Sequence, residues 1–332
     1  MKKIVYLLVS VVLVALVIVG LIDIDDGPTE EAPKNVITGP PIYIADMFAT
    51  DDELWMLRAK DTLKEPGPWE YHLYRLGEND QQEYVRLFPA TTWCWNEEKQ
   101  KLFYLSESKK SIVEYDPATG NTKDYSLDET YVTICAAVGE NIFLQQEDYG
   151  AVTMYSISTG EECVLNASGT VLGVYDERIV AWNPLNPERY HLVCYDYCNG
   201  GEIWRIDLPD LFSTQINPVI CKNGKDLYLT NEFGGYVYII PNFAETGDWK
   251  RTELFAVAIG MTSTEDYIIC AKNNPNIIRF HAIYPDRTVV DLTKWEDINY
   301  YQSGSFLMEV FDGKLYYTLK TEDCLYSYNL NE

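Results

Sequence analysis

Seven short segments of the chain share one pattern, in which a polar or glycine-containing turn is followed by an apolar run. They read DDELWML, KQKLFYL, GENIFLQ, DERIVAW, GKDLYLT, TEDYIIC and DGKLYYT. Their first apolar residues are Leu54, Leu102, Ile142, Ile179, Leu227, Tyr267 and Leu315, which gives intervals of 37 to 48 residues. Repetition at this period indicates an array of similar small units rather than two unrelated domains.

A second marker lies after each apolar run, where a predicted strand ends in an aromatic residue. Tyr115, Tyr155 and Tyr195 are 40 residues apart, and each is followed five residues later by glycine: Gly120, Gly160 and Gly200. Glycine supplies the positive φ that a tight hairpin between two strands requires. The stretch CYDYCNGGEIWRID, residues 194–207, is therefore predicted to be a hairpin turn rather than a two-cysteine device.

Each unit holds about four short strands, and the apolar runs of the middle strands are too continuous for a sheet with one wet face. Units of this length and strand number resemble the blades of a β-propeller. We expect an all-β fold, a single propeller of about seven four-stranded blades, over residues 42–332. The last unit stops at Tyr326–Glu332 without a fourth strand, and the segment NVIT at 35–38 is placed to supply it.

The N-terminus carries an apolar stretch of membrane-spanning length. Ile4–Ile22 is uncharged over 19 residues and follows Lys2 and Lys3. About 20 apolar residues span a bilayer, whereas the apolar region of a cleaved signal is usually shorter. We expect a transmembrane anchor or uncleaved signal at 1–22, an acidic Pro/Gly-rich tether at 23–41, and the C-terminal domain outside the cytoplasm, since positive charge stays inside.

The fragment YDYCNGGEIWRID is similar to one repeat of the quinoprotein-like propellers, in which an Asp, a Gly and a later Trp recur. At the place of Trp204, however, the two preceding units carry Asp124 and Val164. The tryptophan series of that family is absent, so no cofactor is expected. A general resemblance to extracytoplasmic propeller proteins remains over residues 40–330, and this class of fold serves many unrelated functions.

Residues able to carry out chemistry are few. The histidines His72, His191 and His281 all fall in third-strand segments and are expected to pack between blades. The pair Cys194 and Cys198 is a weak zinc signal by itself. Eight cysteines, at 94, 135, 163, 194, 198, 221, 270 and 324, are expected to be mostly buried free thiols, with disulfides as the alternative in an exported protein. No catalytic residue and no metal site is predicted.

Charge restricts the partners. The chain carries a net charge of −25, and removing Lys2 and Lys3 with the anchor leaves −27. Such a surface repels nucleic acids and anionic lipid headgroups. A basic protein partner, divalent cations or a neutral glycan remain compatible, and the membrane is expected to be contacted through the N-terminal helix only.

Propeller geometry predicts where a ligand binds. Loops from strand two to three, and from strand four to the next blade, emerge together at one end of the channel; we call this end the loop face. Long aromatic loops are predicted there, and their candidate ligand-binding residues are Trp69, Trp182, Arg189, Phe212, Trp295, Tyr300 and Tyr301. Exposed aromatic residues with a polar rim are typical of contacts with proteins or sugars.

The predicted function is non-catalytic binding of a protein partner or surface ligand through the loop face. One alternative is a propeller enzyme acting on glycans or another extracellular substrate, which would need two or three carboxylates with raised pKa at the channel mouth. Another is a structural subunit of an envelope assembly.

Overall fold

The computed structural model describes most of the chain after residue 34. The described residues are 35–38, 42–60, 71–77, 81–90, 92–186, 189–207, 219–230, 236–253, 257–274, 277–294, 306–319 and 324–330. The predicted anchor at 1–22 and most of the predicted tether lie outside them. Within these ranges no helix is long and apolar enough to cross a membrane.

The described residues form seven antiparallel sheets of four strands each, the blades of a β-propeller. Strand β1 is Asn35–Thr38. Blade 1 contains β2 (Ile42–Ala49), β3 (Leu54–Lys60), β4 (Tyr71–Leu76) and β5 (Gln82–Phe88). Blade 2 contains β6 (Trp93–Asn96), β7 (Lys101–Leu105), β8 (Ser111–Tyr115) and β9 (Thr122–Ser126). Blade 3 contains β10 (Thr133–Val138), β11 (Asn141–Gln145), β12 (Ala151–Ser156) and β13 (Glu162–Ser168).

The remaining blades follow in chain order. Blade 4 contains β14 (Thr170–Tyr175), β15 (Arg178–Asn186), β16 (Arg189–Asp196) and β17 (Glu202–Ile206). Blade 5 contains β18 (Val219–Asn223), β19 (Asp226–Thr230), β20 (Tyr236–Ile240) and β21 (Lys250–Glu253). Blade 6 contains β22 (Val257–Ser263), β23 (Ile268–Asn274), β24 (Ile277–Ile283) and β25 (Val289–Lys294). Blade 7 contains β26 (Phe306–Phe311), β27 (Lys314–Leu319) and β28 (Cys324–Asn329), and its outer strand is β1.

Blade 7 closes the ring with a strand from the other end of the domain. Strand β1 pairs antiparallel with β28, in a register that joins Asn35 to Ser327 and Thr38 to Cys324. This confirms the prediction that NVIT supplies the missing fourth strand. The seven-bladed all-β architecture predicted from the repeat period is confirmed as well.

The apolar cores lie between neighbouring blades, as the continuous runs predicted. Residues of adjacent blades share each cluster; one cluster, for example, joins Trp55 of blade 1 to Leu102 and Tyr104 of blade 2. The repeat anchors Leu54, Leu102, Ile142, Ile179, Leu227 and Leu315 are all fully buried. In blade 6 the equivalent buried residue is Ile268.

The sequence-based prediction placed the sixth anchor at Tyr267, one residue before the buried Ile268. The chain forms a turn from Thr264 to Tyr267, where the amide and hydroxyl of Thr264 both donate to the carbonyl of Tyr267. The Thr264 hydroxyl in turn accepts from the amide of Tyr267. These hydrogen bonds keep Tyr267 in the turn, so β23 begins one residue later.

The stretch at 194–207 is a hairpin turn, as predicted. The amide of Gly200 donates to the carbonyl of Asp196 at 2.8 Å, and Gly120 and Gly160 close equivalent turns at the same distance. All three glycines have φ between 71° and 73°. Cys194 is buried in β16 whereas Cys198 is exposed in the turn. The seven cysteines whose side chains are described are all free, although Cys163 and Cys198 are exposed rather than buried.

The turn glycines differ in their surroundings, and this difference predicts a difference in stability. A Cβ at Gly200 would lie 2.3 Å from the backbone nitrogen of Asn166 in the neighbouring blade, whereas a Cβ at Gly120 would meet nothing within 4 Å. Both substitutions by alanine strain a positive φ, at a cost of about 1 to 2 kcal/mol. Gly200→Ala should lower the free energy of unfolding by about 1 to 3 kcal/mol more than Gly120→Ala, because backbone must also move.

Equilibrium denaturation of the two variants measures this difference directly. Equal losses of stability would show that the turn of blade 4 is not held rigidly against β13.

Candidate functional site

The central channel is lined by the first strands of the blades. Contacts join β6 to β10, β10 to β14, β14 to β18, β18 to β22, β22 to β26, and β26 back to β2. Register shifts interrupt the pairing of β2, β10, β14 and β22 with their neighbours, each with one extra residue. Such bulges re-aim side chains locally. The channel therefore brings together polar groups that have no common position in the sequence repeat.

One end of the channel is surrounded by the turns between the first and second strands of each blade, which we call the mouth turns. They span residues 50–53, 97–100, 139–140, 176–177, 224–225, 264–267 and 312–313. These turns contain eleven acidic residues and only two lysines, Lys99 and Lys225. Lys99 is already occupied by Glu140, with 2.5 Å between Nζ and Oε1. The mouth is consequently an acidic surface.

A cavity of about 370 Å³ opens between the mouth turns of blades 2 and 4. Its walls come from the first strands of blades 2 to 5: Cys94, Trp95, Asn96, Glu97, Glu98, Cys135, Ala136, Ala137, Val138, Gly173, Val174, Tyr175, Asp176 and Lys222. Glu97, Glu98 and Asp176 are exposed at its rim. The cavity thus has an acidic rim and aromatic and aliphatic walls.

The rim contains one cation, and that cation is paired. Lys222 Nζ lies 3.0 Å from Asp176 Oδ1. Asp176 and Glu177 form a two-residue hairpin turn with φ of 47° and 60°. Such a turn requires positive φ at both positions and favours Asn, Asp or Gly. The turn therefore places the Asp176 carboxylate at the cavity rim, and Glu177 is the residue that adopts its backbone conformation less readily.

Two cysteines are among the residues that line the cavity. Burial raises the pKa of Cys94 well above its usual value, and the nearby Cys135 raises it further. Burial raises the pKa of Cys135 to about 12, and its thiol donates to Gln145 Oε1 at 3.3 Å. Both groups are therefore protonated at neutral pH. Because the thiolate is the nucleophile, these cysteines are poor candidates for covalent catalysis.

Two carboxyl groups lie on neighbouring first strands of the channel. Asp46 on β2 accepts hydrogen bonds from Trp93 Nε1 at 2.6 Å and from the amide of Met47 at 2.9 Å. Burial raises its pKa, and these hydrogen bonds oppose the rise. For Glu309 on β26, burial raises the pKa to about 8, and the charges of Asp46 and Glu97 contribute. Glu309 is consequently mostly protonated at neutral pH.

The predicted ligand-binding residues fall into three groups: one is buried, one begins a strand, and five lie outside the described residues. Trp182 on β15 is 6 % exposed and packs in the cluster between blades 4 and 5. Arg189 begins β16, directly after a loop of the predicted face. The other five, Trp69, Phe212, Trp295, Tyr300 and Tyr301, lie outside the described residues. Among described loop-face residues, sequence reasoning missed Val132 and Tyr149, which are 39 % and 48 % exposed.

The three strand histidines differ in burial. His191 and His281 are buried, whereas His72 is partly exposed. The Nδ1 atom of His191 lies beside the carboxylate of Asp207, directly after β17, and that of His281 lies beside Asp291 on β25. Burial lowers the pKa of His281. In the part of the chain that the structure describes, no three His, Cys, Asp or Glu side chains are grouped to hold a metal ion.

The raised pKa of Glu309 predicts a pH-dependent effect of Glu309→Gln. Below pH 4.5 the carboxyl is protonated in the folded and unfolded chains, so the substitution should leave stability unchanged. As pH rises towards 8, the native protein must either keep a proton that the unfolded chain has released or bury a charge. Above pH 8, Glu309→Gln should raise the free energy of unfolding by about 2 to 4 kcal/mol.

Denaturant titrations at pH 5 and pH 8.5 provide the measurement, with Glu98→Gln at the exposed rim as the control. The control should change stability by less than about 0.5 kcal/mol at both pH values. A Glu309→Gln effect that does not grow with pH would contradict the raised pKa.

Comparisons with known proteins identify the fold and no family. No protein-family model matches the sequence, and no curated protein matches it. The β-propeller domain of Cps50 (Swd1) from Myceliophteria thermophila is similar with a TM-score of 0.59 and 10% identity, over 89% of this chain and 99% of that one. U3-55K is similar with a TM-score of 0.57 and 10% identity, over 91% of this chain and 99% of that one. YCF48 bound to D1 peptide is similar with a TM-score of 0.57 and 13% identity, over 90% of this chain and 98% of that one. At these identities the likeness shows the fold alone, a β-propeller.

Proposed function

We propose that this chain is a non-catalytic, membrane-anchored β-propeller that binds a partner protein outside the cytoplasm. The observation that carries the proposal is the acidic mouth, where eleven acidic residues surround the end of the channel and a cavity opens among them. Binding requires only a shaped, charged surface on a rigid scaffold, and this propeller provides both. The proposed anchor is the uncharged stretch Ile4–Ile22.

The β-propeller fold often serves as a protein-binding scaffold. One similar structure is that of YCF48 bound to D1 peptide, so a propeller of this shape can hold a peptide. The acidic mouth favours a basic segment as the bound part of the partner, since complementary charge accelerates encounter and excludes wrong partners.

The loop face is proposed as a second contact surface. Its proposed ligand-binding residues remain Trp69, Arg189, Phe212, Trp295, Tyr300 and Tyr301, with Val132 and Tyr149 added by their exposure. Trp182 is not included, because its ring is enclosed between two blades. Aromatic residues at the surface are the usual energetic centres of protein interfaces. A neutral glycan is the other ligand that such a surface accepts.

Capture of a partner from intact membranes by crosslinking tests which face binds. The mouth variant carries Asp51→Lys and Asp52→Lys, both exposed and outside the cavity. The matched control carries Glu107→Lys and Glu147→Lys, which make the same charge change on exposed residues of the loop face. We expect one specific partner to be captured by the native chain and the control, and to fall at least about tenfold with the mouth variant.

The other outcomes are equally decisive. Loss with the Glu107/Glu147 control alone would move the main binding surface to the loop face. Capture of no partner by the native chain would reject the protein-binding function.

A propeller enzyme acting on glycans is a second candidate, favoured by Asp46 and Glu309. A carboxyl group with raised pKa can donate a proton to a leaving glycosidic oxygen, while a second carboxylate stabilises the transition state. If this candidate is right, the native chain releases reducing ends from a panel of oligosaccharides. Glu309→Gln then lowers that rate by at least about 100-fold, whereas Glu98→Gln does not. If the native chain releases no reducing ends from any oligosaccharide of the panel, it does not hydrolyse glycans of those types.

A further inference from the structure

We infer that the cavity at the acidic mouth is a recognition pocket for one lysine or arginine side chain of the partner. This inference rests on the proposed function and specifies the chemistry of the contact. At about 370 Å³, the cavity lies near the lower end of the range for ligand pockets. It has room for an extended side chain and accompanying water, and not for a folded element.

The charges at the rim favour a cation. Lys222 is paired with Asp176, so these two neutralise each other. Glu97 and Glu98 have no cationic partner among the described residues. Lys99, the next residue along the chain, is bound to Glu140. Two adjacent carboxylates are thus available to an incoming guanidinium or ammonium group. Charge-assisted hydrogen bonds of that kind are about twice as strong as neutral ones.

Trp95 and Tyr175 are among the residues that line the cavity, and neighbouring rings hold both side chains in place. Trp95 stacks on Phe48 with 4.5 Å between ring centroids and 25° between planes. Tyr175 meets Phe243 edge to face, at 6.3 Å and 88°. Because the walls are fixed before the ligand arrives, little side-chain ordering opposes binding.

The combination distinguishes this cavity from the rest of the acidic surface. Glu265 and Asp266 form an equally acidic pair in the mouth turn of blade 6, yet they do not line the cavity. Neutralising that pair changes the surface charge as much as neutralising Glu97 and Glu98 does. It therefore separates recognition by the pocket from general electrostatic attraction.

The probe is a fluorescein-labelled hexalysine peptide, whose binding to the purified full-length chain is measured by fluorescence anisotropy in 150 mM salt, about the physiological ionic strength. The cavity variant carries Glu97→Gln and Glu98→Gln. The matched control carries Glu265→Gln and Asp266→Asn. We expect the cavity variant to weaken binding at least about tenfold and the control less than about threefold. Equal weakening by both pairs would show that the peptide reads net charge, and the pocket inference would be wrong.

Photocrosslinking locates the side chain. A hexalysine peptide with one photoreactive lysine analogue should label the cavity walls at residues 94–98, 135–138 or 173–176. Labelling confined to other mouth turns would overturn the inference. Displacement of hexalysine by micromolar spermine, or by calcium at about 1 mM, would instead assign the cavity to a small cation, which also contradicts a protein side chain.

Failure of this inference and failure of the proposed function give different results. If the partner is captured from membranes but Glu97→Gln with Glu98→Gln leaves capture unchanged, the pocket is not used while protein binding stands. If no partner is captured, the proposed function fails. The hexalysine measurements then still test whether the cavity binds a lysine side chain.

Discussion

The whole architecture depends on the closure of the ring by β1. Each blade buries both faces of its sheet only when it has a neighbour on either side, and an open ring would leave two apolar sheet faces in water. The pairing of Asn35–Thr38 with β28 gives blade 7 its fourth strand. The contact of β26 with β2 then completes the circle. Four residues near the start of the domain thereby stabilise all seven blades.

Ring closure also determines where chemistry can occur. The second and third strands are enclosed between blades, which is why Leu102, Phe103 and Val193 are almost or fully inaccessible. Polar side chains such as Arg58, His191 and His281 are buried on these strands as well, whereas the acidic side chains of the candidate site lie in the turns and on the first strands around the channel. Asp46 and Glu309 lie there in surroundings dry enough to raise their pKa values, while Glu97 and Glu98 reach water. A single channel thus contains both partly buried and exposed carboxyl groups.

Much of the fold could be predicted from the sequence, because period and turn chemistry are local. The apolar runs predicted the blades, and Gly200 predicted the hairpin. The incomplete last unit predicted that residues 35–38 supply its fourth strand. The site could not be predicted in the same way. Asp46 in IADMF and Glu309 in LMEVF look like ordinary strand alternation, and only the ring places them together. Trp182 likewise stands beside a predicted loop, but its burial depends on the blade that packs against it.

The position of β1 has a mechanical consequence. Asn35 pairs with Ser327, two residues before Asn329, which lies opposite Lys314 at the mouth turn of blade 7. The chain therefore enters the propeller at the end that carries the acidic turns. A pull along β1 from that end acts parallel to the strand, so the four residue pairs with β28 share the load at once instead of opening one by one. A pull in this direction therefore loads the closure in shear, which resists tension better than unzipping does.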